Sequence, residues 1–161
     1  MQKDKDTLRR NILLKKHLKN LSTILNREVS SNELETSPSP NAVQLAAKEL
    51  GQFQFIQVNF KKTDVDKLKI TLEKLAHLNK SCFYLWLDNS IDLGFLKINS
   101  LSDIDYFSIS EKIQPFTFGL IAEDFSDYLL CDLESEEEST VITLEYKGKN
   151  WSSDLKSLAG P

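Results

Sequence analysis

The period of the apolar residues changes once along this 161-residue chain, near residue 81, and that change limits the folds open to it. Before it, apolar residues recur at helical spacing. Leu14, Leu18, Leu21 and Leu25 form one stripe over residues 4–26, with Leu8 and Ile12 extending it. Val65, Leu68, Leu72 and Leu75 form another over residues 63–79. After residue 81 the pattern is that of strands. CFYLWLD (82–88) reads as a central strand, apolar on both faces, followed by strand candidates GFLKI, YFSI, FTFGLIA, DYLLCDL and TVITLEY. QFQFIQVNF (52–60) is a half-buried strand set among the helices, with Ile56, Val58 and Phe60 alternating with Gln57 and Asn59. Helices followed by a run of strands predict an α+β fold. The expected architecture is an antiparallel sheet of about five to six strands, mostly residues 82–146, with the N-terminal helices packed on one face. The expected core joins Val65, Leu68, Leu72, Leu75, Phe83, Leu85, Leu87, Leu120, Leu129, Cys131, Ile142 and Leu144.

Residues 30–40 read as a connector, because Pro38 and Pro40 sit poorly inside a helix. A short helix over 41–50 is expected to end at Gly51 as a left-handed terminator. The length and the 40% hydrophobic, 27% charged composition fit one α+β domain over 1–161. Within it, residues 1–51 make a basic helical part and 52–161 a strand–helix–meander core. With no apolar run near membrane-span length and no signal-peptide pattern, the expected location is the cytoplasm. Cys82 and Cys131 lie in apolar runs and are expected to be reduced core residues.

The catalytic vocabulary is sparse. Five glycines form no phosphate loop, no G-x-S-x-G elbow occurs, and His17 and His77, expected at a helix surface or a helix end, lack partners at metal-ligand spacing, so no cofactor and no metal are expected. One pattern does have catalytic grammar. Asp132 ends a strand candidate and Glu145-Tyr146-Lys147 follows on the next. This resembles the PD-(D/E)xK nuclease core, in which an Asp and a Glu hold Mg²⁺ and a Lys assists the attacking water; two carboxylates make a hard-oxygen site of the kind that reaction needs. The competing reading leaves all three as sheet residues.

A broader pattern runs through residues 94–146. An apolar strand leads to Leu120–Asp124, then Asp127, the aromatic-apolar Tyr128–Leu130, and Asp132. This resembles the C-terminal half of the SUKH superfamily of immunity proteins, although Phe125-Ser126 stands where that family has a Gly-rich turn. The resemblance implies a non-catalytic protein that binds and neutralises a cognate toxin.

Charge is divided along the chain. Residues 1–80 hold 15 Lys/Arg against 9 Asp/Glu, and residues 81–161 hold 5 against 15, so the halves carry +6 and −10. Glu123, Asp124 and Asp127 in one turn, with Glu134, Glu136, Glu137 and Glu138 in the next, are expected to form one acidic rim. Such a rim steers a basic partner, a toxin or nuclease, and Tyr128 or Trp151 is the expected aromatic anchor. The competing reading is a solvated loop. The alternative function is a nucleic-acid protein, either the Mg-dependent nuclease or a DNA-binding regulator. For the regulator, residues 1–27 carry +6, and residues 18–51 resemble a helix-turn-helix unit with 39–50 as recognition helix. The single Lys of residues 41–50 and the pI near 5.3 weigh against it.

Overall fold

The computed structural model describes residues 2–36, 38–111, 116–135 and 140–151. The chain begins with the long helix α1 (Gln2–Leu25), a two-residue strand β1 (Leu34–Glu35) and α2 (Pro40–Glu49). Proline at the first turn presets φ for α2, and the Ser39 hydroxyl caps it by accepting from the Ala42 N–H at 3.3 Å. Then come β2 (Ile56–Lys61), α3 (Val65–Leu78), β3 (Phe83–Trp86), the single turn α4 (Ser90–Leu93) and β4 (Phe95–Ile98). A second short helix, α5 (Tyr106–Ser110), leads into β5 (Phe116–Ala122), β6 (Asp127–Ser135) and β7 (Thr140–Gly148).

The seven strands of the described residues belong to one antiparallel sheet in the order β1-β4-β3-β5-β6-β7-β2. The α+β class is as expected, with seven strands in place of five to six. The extra ones are the 52–60 strand, which joins the meander by pairing with β7, and β1, inside the presumed connector.

Cross-strand partners share a face, so the register sorts the side chains. One face carries Phe83, Leu85, Leu96, Ile98, Phe118, Leu120, Leu129, Cys131, Leu133, Ile142, Leu144 and Tyr146, all buried. Leu21, Ile24 and Leu25 of α1, Leu68, Leu72 and Leu75 of α3, and Ile109 of α5 close over it in one cluster. The opposite face carries Tyr84, Phe95 and Ile121, which cluster with Val43, Ala46 and Leu50 at α2. Helices therefore cover both faces, correcting the one-sided arrangement. The reason is chain order: β1 sits at the β4 edge, and the 38–52 segment crosses from there beneath the sheet. Every expected core residue is buried except Val65, which is half-buried.

Four local expectations change. Leu8 and Ile12 are exposed, because only the C-terminal half of α1 reaches the core. YFSI is helix α5, not a strand; Asp105 starts it by accepting from the Ser108 N–H at 2.9 Å, a local cap that outweighs the strand propensity of its aromatics. Gly51 lies in a 3₁₀ turn (Leu50–Gln52), without a left-handed φ. His17 is buried rather than at a helix surface, its Nε2 3.2 Å from the Gly94 carbonyl oxygen. Both cysteines are free. Among the described residues, no helix is long and apolar enough to cross a membrane.

Candidate functional site

The acidic residues proposed as one rim are separated by the fold. Glu123 and Asp124 occupy the turn before β6, whereas Glu134 lies near its far end, so the nine-residue strand sets the two groups about 26 Å apart. That exceeds a Debye length of about 8 Å, and the two ends act as separate charges. Successive turns of a meander must alternate between the ends of the sheet. Glu136, Glu137 and Glu138 lie outside the described residues. Glu123 is exposed and paired with Lys97 at 2.5 Å; Asp124 is exposed, with its Oδ1 accepting from the Ser126 N–H at 3.0 Å within the turn.

Asp127 and Trp151 are wholly buried and present nothing to a partner in this structure. The Asp127 carboxylate is the hub of a clamp. Its Oδ1 accepts from the N–H groups of Asn150 (2.9 Å) and Trp151 (3.2 Å). Its Oδ2 accepts from the side chains of Asn79 (2.5 Å), Asn150 (2.6 Å) and Ser126 (3.0 Å). Five donors satisfy the buried carboxylate. The clamp joins the end of α3, the β5–β6 turn and the end of β7. Gly148 makes room for it: at φ 140° a side chain would be strained, and a Cβ there would collide with Asp127 Oδ1 and the Ser126 carbonyl. Trp151 completes the join. Its Nε1 donates to the Leu75 carbonyl at 3.1 Å, and its ring stacks on Phe83 with centroids 5.8 Å apart. Asp127 and Trp151, two of the residues chosen for binding, are thus structural, and Asn79 and Asn150 are the partners that sequence reading missed.

What remains for binding is the face that α2 leaves uncovered. α2 reaches the β4–β3–β5 end; across β6, β7 and β2 the side chains of Tyr128, Leu130, Asp132, Val141, Thr143, Glu145 and Lys147 stay half-exposed, and Gln57 and Asn59 are exposed. Polar ties run across this surface. Thr117 Oγ1 donates to Asp132 Oδ1 at 2.5 Å, and Thr143 Oγ1 to Asn59 Oδ1 at 3.1 Å. Lys147 Nζ stands 5.6 Å from the Tyr128 ring centroid, and the Trp86 ring packs tilted against Tyr128 with centroids 5.6 Å apart. Burial raises the Tyr128 pKa, reinforced by the charge of Glu145. Trp86 lies across Gly119, where any Cβ would collide with the indole; a glycine inside an apolar strand is the sequence signal for such an approach. Beside Trp86, a cleft of about 310 Å³ opens among Val43, Asp88, Ser90, Ile91 and Phe95.

The nuclease-like residues do share this face. Glu145 pairs with Leu130, Asp132 with Thr143 and Lys147 with Tyr128, which makes the two carboxylates diagonal neighbours. Among the described residues, no group of three or more His, Cys, Asp or Glu is placed to hold a metal ion. Cys131 faces the covered core, where burial pushes its thiol pKa up, away from nucleophilic use. The helix-turn-helix pair is not formed, because the buried residues of α1 and α2 pack on opposite faces of the sheet. Compared with known proteins, the chain matches no family model, no curated protein and no solved structure.

Proposed function

We propose that this chain is a non-catalytic protein-binding module that engages a basic protein, in the manner of an immunity protein or inhibitor neutralising a toxin or nuclease. The observation that carries the reading is the uncovered half-face of β6, β7 and β2. It combines apolar contact area at Tyr128, Leu130 and Val141 with the carboxylates of Asp132, Glu134 and Glu145. Lys147 lies against Tyr128, and with Lys61 at the end of β2 it sets two cations against these three carboxylates, leaving the described half-face acidic by one charge. Three further glutamates, 136–138, follow Glu134 in sequence. Half-apolar, half-polar surfaces of this kind are ordinary for protein partners, and rim charge acts mainly on association rate.

The test is affinity capture from the native host with wild type and with Asp132→Lys/Glu145→Lys. The expected result is a basic protein held by wild type and lost by the variant, with its toxicity relieved on co-expression of wild type alone. Equal capture by both would remove this face from consideration. A second reading, a Mg-dependent nuclease, is favoured by one observation: Asp132, Glu145 and Lys147 stand on one face. Cleavage of DNA or RNA with Mg²⁺ or Mn²⁺ that vanishes in Glu145→Ala would select it.

A further inference from the structure

The two edges of the sheet are built differently. β1, at one edge, is two residues long, too short to template another strand. β2, at the other, runs six residues, Ile56–Lys61, in unbroken register against β7 from Ile56–Tyr146 to Lys61–Val141. Among the described residues nothing pairs with its outer side. It holds no proline and no bulge, and its one charge, Lys61, stands at the last position on the open face, so most of the strand lacks the devices by which exposed edges are normally blunted. Along it runs an apolar strip: Ile56 and Val58 remain half-exposed although packed against the core, and Phe55, just before the strand, is 61% exposed.

We infer that β2 pairs antiparallel with β2 of a second copy of this chain, forming a two-fold dimer with a continuous fourteen-stranded sheet. The strand is complementary to itself. Side chains alternate faces, so only registers that set odd positions opposite odd ones and even opposite even keep both sheet faces aligned across the junction. Two of these, centred on Asn59 and on Val58, each pair five of the six strand residues; the Asn59 register sets the amide of Gln57 against the cation of Lys61, whereas Val58 opposite Val58 of the second copy also takes in Phe55. It sets Ile56 against Phe60 on the covered side and Gln57 against Asn59 on the open side, and brings Phe55 opposite Lys61. Apolar meets apolar, amide meets amide, and a cation lies against an aromatic ring. A two-fold interface requires this kind of self-complementary surface. The open half-face of one copy then continues into that of the other, doubling the exposed polar sheet.

The test is the mass of the full chain in solution, by light scattering and sedimentation over a concentration series reaching about 100 μM, because association follows mass action. Wild type is expected at twice 18.4 kDa. Gln57→Lys/Asn59→Lys places Lys opposite Lys twice across the two-fold axis while leaving the core untouched, and is expected to run as a monomer with an unchanged circular dichroism spectrum. Register is checked by oxidative crosslinking in a Cys82→Ser background. Val58→Cys sits against its own copy and should form a disulfide-linked dimer. Ile56→Cys, about 13 Å from its counterpart at four residues' offset, should not. A wild-type monomer throughout the series, a dimer that survives the double Lys variant, or Ile56→Cys crosslinking as readily as Val58→Cys would each overturn the inference. So would a wild-type monomer whose β2 edge instead captures an extended peptide.

Discussion

Leu129 and Leu130 are neighbours of the same residue type on β6, yet they belong to different halves of this molecule. Leu129 is fully buried among α1, α3 and the sheet; Leu130 faces the other way, half-exposed beside Glu145. The covered face is apolar from β4 to β7 and closed by three helices. The other is apolar only where α2 lies on it and turns polar beyond. Most of the buried apolar surface lies on the first face, so replacements on the second are expected to cost the fold less.

The sharpest way to break this comparison is to truncate the two leucines separately. Leu129→Ala is expected to destabilise by about 3–5 kcal/mol through lost transfer energy and a residual cavity, and Leu130→Ala by about 1 kcal/mol or less, read from urea unfolding midpoints. Comparable losses would mean that the open face is a second core.

Next in size is the clamp. Asp127→Ala strips five donors of their acceptor, three of them on Asn150 and Trp151 and the others on Asn79 and Ser126. The expected loss is about 2–4 kcal/mol, against about 0.5 kcal/mol or less for Asp132→Ala on the open face. If thermal melting ranked the two aspartates equally, Asp127 would not be the hub described above.

The covered side also predicts a pH dependence. His17 is buried with no partner for its Nδ1 among the described residues, and burial lowers its pKa from the usual 6.5 despite the hydrogen bond to Gly94. A folded-state pKa below the unfolded one means that protonation favours unfolding. The stability it contributes is present above pH 6.5 and is lost as pH falls from there through the lowered value. His17→Gln should flatten that part of the stability–pH curve; an unchanged curve would place the titration elsewhere.

The smallest expected effect lies at the surface. Lys97 and Glu123 are 32% and 45% exposed, so breaking their pair by Glu123→Gln should cost roughly 0–1 kcal/mol and lose even that at high salt. A larger, salt-insensitive loss in denaturation would show that the β5–β6 turn supports the fold beyond its charge.

Local pattern alone determined a good deal of this protein. Helix α3, the strands β3 and β5–β7 and nearly the whole covered core follow from side-chain period, since burial on one face imposes that period directly. The carboxylates and the basic stretch are likewise visible in composition. Other features arise only when distant segments meet. Asp127 looks like any surface acid until Asn79 and Asn150, 48 and 23 residues away, converge on it. Trp151 becomes core by reaching Leu75, 76 residues back. The acidic rim dissolved because the length of β6 separates its two turns, a distance that charge counting does not contain. Chain order likewise left open that α2 lies on the opposite face from α1 and that β2 closes onto β7 as a bare edge. Side-chain period records which face a residue is on; which segment lies against that face is decided by the pairing of strands far apart in sequence.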